Sequence, residues 1–217
     1  MLESKSYSIS EGEEETDKFS PPGMNGTARH HQNNNEDHPL KFRFCFWKNK
    51  KAEGNTRINY DKNLKLLGSF NTCEDFWRFH CYFKPFHHLP KPSDWYIFRE
   101  GIKPMWEDDA NRYGGKWLVR VRHGLGYKVW ENTLLALVGQ QFQIDDEVCG
   151  VVASLRASEE IISVWNKTST DPAIVEKIRD VFCKVIELPS GTVIEYKPHA
   201  TAMSDHANNR HYFYRIE

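Results

Sequence analysis

Apolar and polar positions divide this chain into a polar N-terminal stretch and a run of alternating strands and helices. Phe42, Phe44 and Phe46 alternate with Arg43 and Cys45, which puts three rings on one face of a strand over 41–47. Thr72-Cys73-Glu74-Asp75 has an acid three residues after a hydroxyl, a helix-start signature. The helix it predicts runs through Phe76, Trp77, Phe79 and Cys81 and stops before Pro85. Trp95–Phe98 and Trp117–Arg122 are apolar enough for strands, the second following Gly114-Gly115, which suits a hairpin turn. Trp130, Leu134, Leu137 and Val138 recur at helical spacing and predict a second helix over 127–142. Strands are predicted over 148–156 and 161–165, joined by a polar turn at Ala157–Glu160. Asp171-Pro172 opens a third helix, cap residue then proline in the first turn, that runs to about Leu188. Strands at Val193–Tyr196 and Tyr212–Tyr214 close the chain. Hairpin-spaced strands with three helices predict an α+β fold, an antiparallel sheet covered by helices on one face and open on the other.

Residues 1–37 carry too little apolar surface to offset ordering entropy, and Pro21-Pro22-Gly23 interrupts any helix. We therefore expect a disordered acidic and polar tail over 1–37 and a folded domain over 38–217. The tail holds eight acids and three bases, net −5, against −1 for the whole chain, so the rest carries +4. That mildly basic balance suits a discrete anionic ligand better than bulk coating of nucleic acid. Neither an export signal nor a stretch of ~20 apolar residues is visible. Five scattered cysteines without a C-x-x-C pair give neither a zinc ribbon nor a redox motif. Free thiols and no export signal point to the reducing cytosol or nucleus; the expectation is a cytoplasmic protein with no metal or cofactor and, separately, a monomer.

Enzyme signatures are missing: no phosphate loop of the G-x-x-x-x-G-K-[ST] type, no G-x-G-x-x-G, no G-x-S-x-G elbow. Among ten histidines, no H-x-x-x-H places two on one face. Seven tryptophans exceed what packing demands and suggest a recognition surface, although an aromatic-rich core is an equal reading. Trp106-Glu107, in Gly101–Asp109, has the chemistry to hold guanine. The indole can stack on a flat base, and the adjacent carboxylate can accept from N1–H and N2–H of the guanine edge. A half-buried Trp before a solvated acidic loop is the plainer alternative. Tyr60 in a polar loop, Lys116 after the Gly-Gly pair and Arg156 at a strand end complete a parts list for a charged nucleotide.

His38-Pro39-Leu40, Glu74-Asp75-Phe76-Trp77, GIKPMWEDD over 101–109, Gly114-Gly115-Lys116-Trp117, Cys149-Gly150-Val151-Val152 and Ile161–Trp165 together resemble the eukaryotic translation initiation factor 4E family, in family order, over about 38–199. The nearest subgroup is class II (type 2), that of the 4E homologous protein. The resemblance implies a curved antiparallel sheet of about eight strands, backed by three helices on the convex face, with a pocket for the 7-methylguanosine cap of mRNA on the concave side. It implies that Tyr60 and Trp106 sandwich the methylated base, Glu107 reads its edge, Trp165 contacts the methyl group, and Arg156 and Lys116 bind phosphates. N7 methylation gives the base a positive charge that favours a π sandwich. On the helical face it implies a docking surface of His38, Pro39, Trp77 and Leu135 for a protein carrying a short helix anchored by Tyr and Leu.

Lys116 stands where the general factor has Arg, Tyr60 where it has Trp, and Ile161 where it has a phosphate-binding Lys, so weaker cap binding is expected. Glu131 and Asn132 occupy positions that are Leu and Glu in the general factor. The expected function is a non-catalytic, class II cap-binding regulator of translation initiation acting on selected messages. The alternatives are a general initiation factor that recruits the scaffold protein, a cap-inactive adaptor, and a decapping-type hydrolase built on Glu107, Asp108 and Asp109.

Overall fold

A computed structural model describes residues 37–50, 63–144, 146–202 and 212–216. Its elements, in chain order, are β1 (Pro39–Lys50), β2 (Leu64–Thr72), α1 (Cys73–Tyr82), a 3-10 turn (Phe86–His88), β3 (Ser93–Arg99), β4 (Gly115–Val121), α2 (Gly126–Val138), β5 (Val148–Leu155), β6 (Glu160–Asn166), α3 (Pro172–Ile186), β7 (Val193–Pro198), a second 3-10 turn (His199–Ala202) and β8 (Tyr212–Arg215). The strands form one antiparallel sheet in the order β2-β1-β3-β5-β6-β4-β7-β8. It is curved, with the three helices against one face, as expected from the sequence.

Side-chain alternation sorts the two faces. Phe44 and Phe46 of β1, Trp95 and Ile97 of β3, Val151, Ala153 and Leu155 of β5 and Ile162 and Val164 of β6 enter the main core beneath the helices. Their alternates Tyr96, Phe98, Val152 and Trp165 build a second, smaller apolar cluster on the helix-free face, with Ile102 and Cys149. The main core is largely aromatic: Phe70 meets Phe79 at 5.6 Å, Phe46 meets Phe83 at 5.4 Å and Phe83 meets Trp95 edge-on at 5.2 Å.

Two helix starts form as their sequences dictate. Thr72 Oγ1 accepts from the Asp75 N–H at 3.1 Å, and Asp171 Oδ1 accepts from the Ala173 N–H at 2.9 Å, with Pro172 in the first turn of α3. Three expectations need correction. Leu64–Thr72, not foreseen as a strand, is β2; it lies at the sheet edge, bonded to β1 alone, and its half-exposed residues lack a clean period of two. Gly114-Gly115 is not a hairpin turn, because β5 and β6 separate β3 from β4. Close packing requires these glycines instead: a Cβ on Gly114 would lie 1.8 Å from the Asn166 carbonyl oxygen, and one on Gly115 2.5 Å from the Tyr196 hydroxyl. Helix α2 ends at Val138 rather than Phe142, and Gln140 and Gln143 take left-handed conformations beyond it.

Candidate functional site

Segment 100–114 crosses from β3 to β4 and carries Trp106 and Glu107. Its shape is fixed by two polar side chains inside it. Fully buried Asn111 donates from Nδ2 to the carbonyls of Lys103, at 2.8 Å, and Met105, at 2.7 Å. Asp108 accepts from the backbone N–H of Lys103 and of Ala110, both at 3.0 Å. Ile102 and Ala110 then anchor the loop against the helix-free cluster that contains Trp165. The Cys149 thiol, which burial pushes up to about 12, sits 3.6 Å from the Ala110 carbonyl oxygen. Between these anchors Trp106 is half-buried and Glu107 is exposed. Sequence reasoning singled out the indole and the carboxylate but missed Asn111, and it weighed Asp108 only as an acid of the hydrolase alternative, whereas both shape the loop; an Asn and an Asp in a turn-rich loop are the available signal.

Trp165 lies on the helix-free face, 7% exposed, edge-on to Phe98 at 5.5 Å. His199, from the turn after β7, covers it at a ring separation of 4.2 Å. Burial, and then the Lys116 charge, depress the His199 pKa to about 3, so the ring is neutral at physiological pH. Among the described residues neither the Trp165 Nε1 nor the His199 Nε2 has a hydrogen-bond partner, although both are buried. Lys116 is the register partner of Trp165, and its Nζ stands 5.4 Å from the indole centroid. Burial lowers the Lys116 pKa, reinforced by Lys197, Arg120 and Arg156, and opposed by Asp94. The structure therefore brings Trp165, Lys116 and Arg156 to one face.

Arg156 is held from below. Its Nη2 donates to Asp94 Oδ1 at 2.7 Å and its Nη1 to the Ser93 carbonyl at 3.1 Å. Ile161 alternates with the core residue Ile162 and pairs with Arg120 and Ser154 on the helix-free face. Tyr60 lies outside the described residues. Among the described residues no cluster of three or more His, Cys, Asp or Glu could hold a metal. No helix among them is long and apolar enough to cross a membrane.

The residues read as a docking surface lie on the helical face. Trp77 of α1 is 47% exposed, packed edge-on against Phe76 at 5.1 Å and His80 at 5.3 Å. His80 Nε2 reaches Glu131 of α2 at 3.1 Å, and half-buried Leu135 follows one turn later on α2. Exposed His38 precedes β1, which exposed Pro39 begins. The His38 N–H donates to Glu74 at 2.9 Å while its Nδ1 lies 2.8 Å from the other carboxylate oxygen, which holds the Glu74 pKa down at about 2. Asn132 faces elsewhere, donating to the Val185 carbonyl of α3 at 2.8 Å.

Comparison with known proteins places this architecture. The family model described as eukaryotic initiation factor 4E matches residues 39–213. A rice (Oryza sativa subsp. japonica) protein named eukaryotic translation initiation factor NCBP is 40% identical over 178 residues, 82% of this chain and 78% of its own. The solved complex of C. elegans eIF4E-3 with the 4E-binding protein Mextli and cap analog superposes with a TM-score of 0.75 at 32% identity, covering 82% of this chain and 100% of that one. Ascaris suum eIF4E-3 with the m2,2,7G cap gives 0.73 at 31% identity, covering 81% and 97%.

Proposed function

We propose, for a chain that belongs to the eukaryotic initiation factor 4E family, that its helix-free face binds the 7-methylguanosine cap of mRNA and serves translation initiation. One juxtaposition carries this reading: a stapled loop presents Trp106 and Glu107 beside a face on which buried Trp165 lies under the Lys116 ammonium. Trp106 stacks on the base, with Tyr60 as the opposing ring. Glu107 accepts from N1–H and N2–H, contacts that only guanine offers as two adjacent donors. Trp165 takes the methyl edge. Lys116 and Arg156 neutralise phosphate oxygens, Arg156 with its guanidinium already oriented by Asp94. Stacking of this kind is worth ~1–3 kcal/mol per base. Retention on immobilised 7-methyl-GTP, released by 7-methyl-GTP but not by GTP, tests the reading; release by both at equal concentration would sink it.

The activity is binding without turnover. Asp108 uses its oxygens within the loop and Asp109 pairs with Arg112 at 3.2 Å, so the acids beside Glu107 do not converge on a shared centre. Incubation with capped RNA and magnesium should release no nucleotide.

The class II assignment rests on Tyr60, Lys116 and Ile161 at the cap site and on the helical face, where Glu131 is engaged by His80 and Asn132 by α3. We place the protein in the cytoplasm, as a monomer regulating selected messages through a partner helix on Trp77, His38, Pro39 and Leu135. The 4E-binding protein in the C. elegans eIF4E-3 complex is the precedent for such a partner.

A further inference from the structure

We infer that Lys197 is a third phosphate-binding cation of this site, beside Lys116 and Arg156, taking up the charge that is missing at Ile161; the inference rests on the cap-binding reading above. Lys197 of β7 is the register partner of Lys116 of β4, and Lys116 is in turn the partner of Trp165 of β6. Trp165, Lys116 and Lys197 therefore form one row across three neighbouring strands. The residues flanking the two lysines, Trp117 and Tyr196, belong to the core beneath the helices, so both lysines project onto the helix-free face.

The charges around this row are unevenly matched. Arg156 has Asp94 at 2.7 Å, Arg120 has Glu159, and Lys197 has Glu195 at 3.0 Å. Lys116 has no carboxylate within ion-pair range among the described residues, and the charges that act on it are those of Lys197, Asp94, Arg120 and Arg156, three cations against one acid. Two ammonium groups side by side in a partly desolvated row repel each other, and an anion between them offsets that repulsion. An ammonium has three donors. The 29%-exposed Lys197 directs one to Glu195 and can turn others toward a ligand oxygen.

Ile161 sits four residues from Trp165 along β6, about 13 Å at strand rise, toward the β5–β6 turn. Lys197 stands on the other side of Lys116 from Trp165, on β7. The cation count is thus restored, but the phosphate chain is drawn toward β7 rather than toward the β5–β6 turn.

The test titrates the full chain, Lys197→Gln and Lys197→Arg with 7-methyl-GTP, 7-methyl-GMP and GTP at several salt concentrations. Lys197→Gln should weaken 7-methyl-GTP by about three- to tenfold and lower its salt slope by roughly one, the size of one partly exposed ion pair. It should change 7-methyl-GMP by less than about twofold, and Lys197→Arg should stay close to the parent. Equal losses for the mono- and triphosphate, or an unchanged triphosphate affinity, overturn the inference. If the parent binds GTP and 7-methyl-GTP alike while Lys197→Gln weakens both, Lys197 stands as a triphosphate contact and the cap reading alone falls.

Discussion

Asn111→Ala should unfasten the recognition loop without dissolving the fold. The amide is fully buried and joins two carbonyls on the far limb of the loop, those of Lys103 and Met105. Each such bond is worth ~1 kcal/mol net, so their loss amounts to about 2 kcal/mol. Two effects reduce it. Lys103 is exposed and Met105 half-buried, so water replaces part of what the carbonyls lose, and removing the unpartnered Asn111 Oδ1 relieves an existing penalty. A net cost of about 1–2 kcal/mol remains. If it falls on loop pre-organisation, 7-methyl-GTP affinity drops roughly 5- to 30-fold. Asn111→Asp should be worse than Asn111→Ala, because it points a carboxylate at two carbonyl oxygens. Fluorescence titration with 7-methyl-GTP, beside a urea midpoint for each variant, reads both quantities. An Asn111→Ala protein that stays folded and binds within about twofold of the parent would refute the reasoning.

Three other expectations follow from the same geometry. Between pH 6.5 and about 3 the unfolded chain takes up a proton that buried His199 refuses, so stability falls as pH falls through that window; at pH 5 the penalty is about 2 kcal/mol, and His199→Gln should flatten the acid limb of a urea-midpoint profile. Glu160→Ala should lower stability by ~1–3 kcal/mol in chemical denaturation, since the buried carboxylate accepts from the Gly126 N–H at 3.0 Å and caps α2; an unchanged midpoint would show that water caps the helix as well. Trp77→Ala should leave 7-methyl-GTP affinity intact and abolish capture by a helical Tyr/Leu peptide in calorimetry, and a parallel loss of both would contradict two separate faces.

What the sequence made legible was short-range. Thr72 and Asp171 cap their helices because a cap is a contact over two or three residues. The rings of Phe44 and Phe46 declare their face by alternation alone. Contacts across long separations were illegible. Glu160 looked like part of a polar turn, yet it is the first residue of β6 and caps a helix that begins 34 residues earlier. Gly114 and Gly115 signalled a turn, but their real constraint is close backbone approach to β6 and β7. β2 escaped because an edge strand need not alternate. At the site, Trp106, Glu107, Lys116, Arg156 and Trp165 could be named from a motif resemblance. His199 and Lys197 could not, since only the register of β7 beside β4 sets them next to Trp165 and Lys116.

Tryptophan-fluorescence titration with 7-methyl-GTP and with GTP, in one buffer at fixed salt, tests the central claim most directly. The account predicts strong quenching by the methylated nucleotide, little by GTP, and loss of the response in Glu107→Ala. Equal quenching by the two nucleotides, or a Glu107→Ala protein that still discriminates between them, would contradict it.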